Sequence, residues 1–90
     1  MLTLEVTSQF RKDYKLAKKR GFDMSLLEAV IDTMLSEKPL EERFRDHALT
    51  GNYSGFRECH VKPDWLFIYK TDGERLVLVA ARTGSHSDLF

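Results

Sequence analysis

The stretch Phe56-Arg57-Glu58-Cys59-His60-Val61-Lys62-Pro63-Asp64-Trp65-Leu66-Phe67-Ile68-Tyr69-Lys70-Thr71-Asp72-Gly73-Glu74-Arg75-Leu76-Val77-Leu78-Val79-Ala80-Ala81-Arg82-Thr83 decides the fold. Its β-branched and aromatic residues fall into three runs, at 56–62, 65–70 and 75–83, separated by Pro63-Asp64 and Asp72-Gly73. Asp-Gly between two hydrophobic runs is the strongest short hairpin signal, so an antiparallel meander is expected. Two-residue turns would set His60 opposite Phe67, Lys62 opposite Trp65, Tyr69 opposite Leu76 and Phe67 opposite Leu78. Alternation would then put Cys59, Val61, Leu66, Ile68, Val77, Val79 and Ala81 under the helices. Glu58, His60, Lys62, Trp65, Phe67, Tyr69, Leu76, Leu78 and Arg82 would face away from them.

Upstream of the meander, residues 2–6 alternate as a short strand. Thr7 or Ser8 can cap a helix that runs to about Arg20, with Gly21 as a left-handed stop. Phe10, Tyr14 and Ala17 share one face of this helix, and Arg11, Lys12, Lys15, Lys18 and Lys19 spread over the other. Asp23 caps a second helix whose core stripe is Leu26, Leu27, Val30, Ile31, Met34 and Leu35, ended by Lys38-Pro39. Residues 39–55 are a polar connection with one short strand at about 44–49. The expected fold class is α+β in two layers, β-α-α followed by an antiparallel sheet of three to four strands.

Ninety residues hold one core and therefore one domain, residues 1–90. No apolar run reaches the ~20 residues of a membrane span, and the N-terminus lacks a basic start and a long apolar region, so a cytoplasmic protein without a membrane partner is expected. The one cysteine, Cys59, sits in a strand run and reads as a buried small hydrophobe. The formal net charge is zero, yet residues 11–20 carry six basic groups against one acid. A local field of that kind attracts phosphate even on a neutral molecule.

All three histidines, His47, His60 and His86, lie in the second half with Asp64, Trp65 and Arg82. Histidine populates both protonation states near neutrality, its unperturbed pKa being about 6.5, and so can take or give a proton. Arginine keeps its charge and forks onto phosphate oxygens. Trp65 and Phe90 offer flat rings to an unstacked base. Together these are the parts for metal-free cleavage of RNA: a base for the 2′-hydroxyl, an acid for the leaving 5′-oxygen and a cation for the phosphorane. The histidine spacings match no usual metal-ligand pattern, so no metal or other cofactor is expected. Each residue also has a plainer use, as a surface histidine, a solvated charge or a sheet ring.

Order and spacing carry more than the single residues. Asp46-His47-Ala48-Leu49-Thr50-Gly51, then residues 55–69 with His60-Val61-Lys62-Pro63-Asp64-Trp65, then Arg82-Thr83-Gly84-Ser85-His86 and Leu89-Phe90 closely resemble the YafQ branch of the RelE superfamily of toxins. Phe10, Lys12, Asp13 and the run Lys15-Leu16-Ala17-Lys18-Lys19-Arg20 are similar to that family's first helix. The resemblance implies a RelE-like fold and a ribosome-dependent endoribonuclease that cuts translated mRNA in the A site. It further implies a cognate antitoxin, contact with rRNA, and operator DNA bound only through the antitoxin complex. Carried across, His47, His60, Asp64 and His86 fall on acid–base and RNA-contacting positions, Arg82 on the phosphate-stabilising one, and Trp65 and Phe90 on message-positioning ones. Lys15, Lys18 and Lys19 are the expected ribosomal RNA contacts. A gyrase-poisoning toxin of the related ParE branch, or a plain RNA-binding module, would use the basic helix and the aromatics without needing three histidines.

Overall fold

The computed structural model describes all 90 residues. Strand β1 (Thr3–Val6) leads into helices α1 (Ser8–Lys19) and α2 (Met24–Leu35), which are followed by β2 (His47–Ala48), β3 (Arg57–Lys62), β4 (Trp65–Asp72), β5 (Val77–Gly84) and a one-turn α3 (His86–Leu89). Single 3-10 turns at Glu42–Phe44 and Gly51–Tyr53 flank β2. The five strands form one sheet in the order β1-β5-β4-β3-β2, with β1 parallel to β5 and the other pairs antiparallel. The α+β two-layer expectation holds, and the parallel β1 extends the antiparallel part.

Both long helices start as their caps dictate. The Thr7 hydroxyl accepts from Phe10 N at 2.9 Å and the Asp23 carboxylate from Ser25 N at 3.1 Å. Gly21, at φ +84°, turns the chain after α1, and Glu37 turns it after α2 at φ +59°. Helix α1 buries Phe10 and Ala17 as expected and also Asp13. Helix α2 buries Leu27, Val30, Ile31 and Met34, whereas Leu26 and Leu35 remain partly in solvent.

The strand register departs from the expectation at three places. At Asp72-Gly73 the connection is not a two-residue turn. The Asp72 carboxylate accepts from Glu74 N and Arg75 N, both at 3.1 Å, Leu76 takes φ +54°, and the ladder closes at Asp72 opposite Val77. A carboxylate that captures two loop amides stabilises the longer loop. Further along, Tyr69 pairs with Ala80 but Ile68 with Arg82, so Ala81 is bulged out of the ladder. The β3–β4 hairpin closes with Lys62 opposite Trp65 as expected, but a second bulge at Val61 sets His60 opposite Leu66 and Cys59 opposite Phe67.

The bulge at Val61 inverts the faces of β4 and, through their pairing, of β5 as far as Ala80, while the bulge at Ala81 returns Arg82 to the face expected for it. Trp65, Phe67, Tyr69, Leu78 and Ala80 join Cys59, Val61, Phe10 and the α2 stripe in the core beneath the helices. Leu66, Ile68, Ala81 and Leu89 form a smaller cluster on the far face, covered by Leu49, Tyr53 and Phe56. The large rings need the thicker cover that two helices give, while a short loop and one helical turn cover only small aliphatics. His60, opposite Leu66, stays on the far face.

Candidate active site

The far face gathers what the sequence scatters. The rings of His47 and His60 stand 6.1 Å apart and those of His60 and His86 5.8 Å apart, so the three histidines form a row. Local geometry explains why. Leu66, next to the tight Pro63-Asp64 turn, pairs with Gly84, which brings that turn beside the segment holding His86. Asp64 Oδ1 accepts from His86 N at 3.0 Å and from His86 Nδ1 at 2.6 Å. These two bonds, the backbone one foremost, hold the Asp64 carboxyl below its usual range. They leave His86 Nε2 free on a half-exposed ring. The turn beneath His86 is itself fixed by the Ser85/Asp88 capping box. The Asp88 carboxyl also takes Arg20 Nη1 at 2.8 Å, and this ion pair is the leading reason that it too sits below its ordinary range.

His47 and His60 flank a buried carboxylate. Glu58 is 5% exposed, and its Oε1 lies 3.4 Å from His47 Nε2 and 3.6 Å from His60 Nε2. The segment carrying His47 is anchored by Asp46, whose Oδ1 accepts from Tyr69 OH at 2.5 Å and Arg57 Nε at 3.3 Å. Burial first, then the bond to Asp46, raises the Tyr69 phenol. The buried Cys59 thiol, pushed up to about 12 chiefly by burial, stays protonated and inert.

Arg82 lies opposite Ile68, which in turn lies opposite Glu58, so two strand spacings, roughly 10 Å, separate the backbones of Arg82 and Glu58 across the sheet. It is held by Asp13 of α1, with Nε 2.7 Å from Oδ2 and Nη2 3.2 Å from Oδ1. The pairing of β1 ends at Ala80, and beyond it Asp13 Oδ2 also takes Thr83 N at 3.2 Å. The Asp13 bonds raise the Arg82 guanidinium further. Arg82 Nη1 donates to Tyr53 OH at 3.4 Å, and Tyr53 packs edge-on against Phe56 and against Phe90, which is 66% exposed.

Trp65 does not join this face. Its ring is 3% exposed, packs at 4.9 Å against Phe22, and donates from Nε1 to Thr83 Oγ1 at 2.9 Å. The bulge that turns β4 over puts it in the helix-side core, with no face for a base. Lys15, Lys18 and Lys19 are exposed on α1. The sequence reading missed Glu58, Asp13, Asp46 and Tyr53 as parts of the site. It also missed a groove of about 900 Å³ between α2, residues 40–45 and β3, which opens at His60 and His86 and is lined by Arg43, Arg45 and Lys62.

Residues 2–90 match the family described as the bacterial toxin of type II toxin-antitoxin system, YafQ. The chain is 40% identical over 88 residues, 97% of its own length and 94% of the relative's, to the mRNA interferase toxin YafQ of Escherichia coli K12. Among solved structures, YafQ in the E. coli DinJ–YafQ complex superposes with a TM-score of 0.91 at 38% identity, covering 100% of this chain and 99% of that one. A metal-bound toxin from Helicobacter pylori gives 0.93 at 44% identity, with full coverage of both chains. With residues 2–90 matched and its fold superposed, the chain belongs to the YafQ family of type II toxins.

Proposed function

We propose that the protein is an mRNA interferase, an endoribonuclease that cleaves translated message in the ribosomal A site by metal-free attack of the 2′-hydroxyl. The row of three histidines with one carboxylate-held ring carries this reading. Asp64 on His86 Nδ1 stabilises the imidazolium and aims Nε2 outward, which suits the acid that protonates the departing 5′-oxygen. His60, with Nδ1 3.4 Å from the Pro63 carbonyl and Nε2 3.6 Å from Glu58 Oε1, stands next to His86 in the row and takes the part of the base. His47 extends the row and contacts the strand. Arg82, steadied by Asp13, offers Nη1 to the phosphorane charge.

Phe90, beside Tyr53, is the surface ring on which a base can lie, and Arg43, Arg45 and Lys62 favour a phosphate backbone in the groove. Lys15, Lys18 and Lys19 would meet ribosomal RNA. One carboxylate beside two imidazoles is a poor cradle for the magnesium that nucleases use, which supports acid–base chemistry without a cofactor. The E. coli relative assembles with DinJ, and by likeness this toxin is held by a cognate antitoxin, reaching operator DNA only in that complex. No helix is long and apolar enough to cross a membrane, and we place its work in the cytoplasm with the ribosome.

Single-turnover cleavage on programmed ribosomes tests the roles. His86→Ala and His60→Ala should each lose about 10²–10⁴-fold in rate, as is usual for a general acid or base. Cleavage within a few-fold of the parent in both variants would refute them.

A further inference from the structure

His86 opens α3, a helix of only four residues. A single turn fixes several dihedrals for one hydrogen bond and does not persist unaided. Asp64 cannot supply that order by itself, because its side chain and that of His86 both stand more than half in solvent, where an ion pair holds its partners only weakly. The turn therefore needs another anchor. The Ser85 hydroxyl accepts from Asp88 N at 3.2 Å, and Asp88 Oδ2 accepts from Ser85 N at 2.9 Å. The same Oδ2 takes Arg20 Nη1 at 2.8 Å, from a residue 68 positions earlier in the chain.

Arg20 projects from a firm base. Its backbone N–H donates to Leu16 O at 3.0 Å, and Phe22 N closes the end of α1 on Ala17 O at 3.1 Å. Asp13, Ala17 and Arg20 stand at i, i+4 and i+7, so the residue that grips Arg82 and the one that grips Asp88 share one face of the same rigid helix, two turns apart. Helix α1 thereby holds both the cation and the proton donor of the proposed reaction. The backbone is shaped round Asp88 as well. A Cβ at Gly84 would stand 3.0 Å from both Asp88 Cβ and Asp88 Oδ2, so any larger residue there would displace the carboxylate.

We propose that Arg20 and Asp88 are positioning residues for His86, their ion pair holding the one-turn helix in the conformation that keeps the imidazole on Asp64 and its Nε2 toward the departing 5′-oxygen. The effect on rate rests on His86 being the general acid, whereas the ordering of the turn stands without that assignment. The pair is partly exposed, so its loss shifts the population of the ordered turn severalfold and does not abolish it. Orientation of a reacting group is sensitive to shifts of this size.

Amide hydrogen exchange of the full chain by NMR and single-turnover cleavage on programmed ribosomes test the two halves. In Arg20→Gln the amides of His86 and Asp88, which donate to Asp64 and to Ser85, should exchange about 3–10-fold faster while those of β3 and β4 keep the parent's protection. The cleavage rate at saturating ribosome should fall about 3–10-fold with the half-saturating concentration unchanged. Arg20→Lys should restore both readings, because a single bond to a carboxylate needs only a positive donor. On a His86→Ala background Arg20→Gln should cost nothing further. Circular dichroism confirms that each variant is folded. Unchanged exchange at His86 and Asp88 overturns the clamp. Faster exchange with the parent's cleavage rate, in a protein that His86→Ala slows, overturns its part in catalysis. If His86→Ala cleaves as fast as the parent, the acid assignment and the rate effect fall together, and the exchange rates alone decide the clamp. A loss that lies in the half-saturating concentration and recurs in full on His86→Ala makes Arg20 an RNA contact and overturns the proposal.

Discussion

Replacing Asp13 by Asn removes the charge that holds Arg82 in place. Asp13 is 8% exposed, and its two oxygens accept four bonds, from Arg82 Nε and Nη2, Thr83 N and Gln9 Nε2, at 2.7 to 3.2 Å. Asparagine keeps one acceptor and turns a donor toward groups that are all donors. Breaking a buried pair by removing one partner costs about 3–5 kcal/mol. The Arg82 side chain is 23% exposed and keeps Tyr53, so solvent restores part of the loss and about 2–3 kcal/mol remains. Against the roughly 5–13 kcal/mol total for 90 residues, that is a large fraction. It corresponds to a fall in Tm of about 10–20 °C. Urea unfolding followed by fluorescence of Trp65, the only tryptophan and a buried one, measures it directly. A double-mutant cycle with Arg82→Gln should return a coupling of about 1–3 kcal/mol. A loss below about 0.5 kcal/mol, the range of ordinary surface substitutions, would refute the claim that Asp13 anchors the arginine.

Trp65→Phe should lower stability through the lost Thr83 bond and indole volume, yet leave the cleavage rate of the folded fraction unchanged; a specific loss of message binding would restore Trp65 to the RNA surface. The pH dependence of unfolding should follow Asp64 and Asp88. Both carboxyls are depressed in the fold, so their stabilisation is fully present above the unfolded value of about 3.9 and decays as pH falls through the folded values. Asp88→Asn should remove part of that acid-side slope, and an unaltered slope would dismiss the Arg20–Asp88–Ser85 linkage. Reversing Lys15, Lys18 and Lys19 to Glu should preserve the fold and reduce ribosome attachment, more so as salt rises, and equal binding at every salt concentration would make α1 only a solvated face.

The helices were legible because caps and apolar spacing are local: Thr7, Asp23 and the α2 stripe each act within a turn or two of their neighbours. The strands were legible for the same reason, but their register was not. The captured loop at Asp72 slides β5 along β4 without changing faces, but the single-residue bulge at Val61 reverses the faces of β4 and of β5 as far as Ala80, the bulge at Ala81 restores that of Arg82, and alternation carries no mark of a bulge. The histidine row was legible as an inventory and a family pattern, while its geometry depends on Leu66 pairing with Gly84, a contact between distant residues. Buried acids are the hardest to read, since Asp13 and Glu58 look like surface charges. A trace existed in both cases: Asp13 stands between Phe10 and Ala17 on the apolar stripe of α1, and Glu58 is two residues from His60 on the same strand face.

The central claim, transfer of protons by histidines during 2′-hydroxyl attack, is tested most directly by the chemistry of the cut ends. Cleavage on programmed ribosomes, with site-bound transition metals removed and the ribosome intact, should leave a 2′,3′-cyclic phosphate or its 3′-phosphate product and a 5′-hydroxyl. A 3′-hydroxyl with a 5′-phosphate, or cleavage that appears only when zinc or magnesium is added to the toxin, would contradict it.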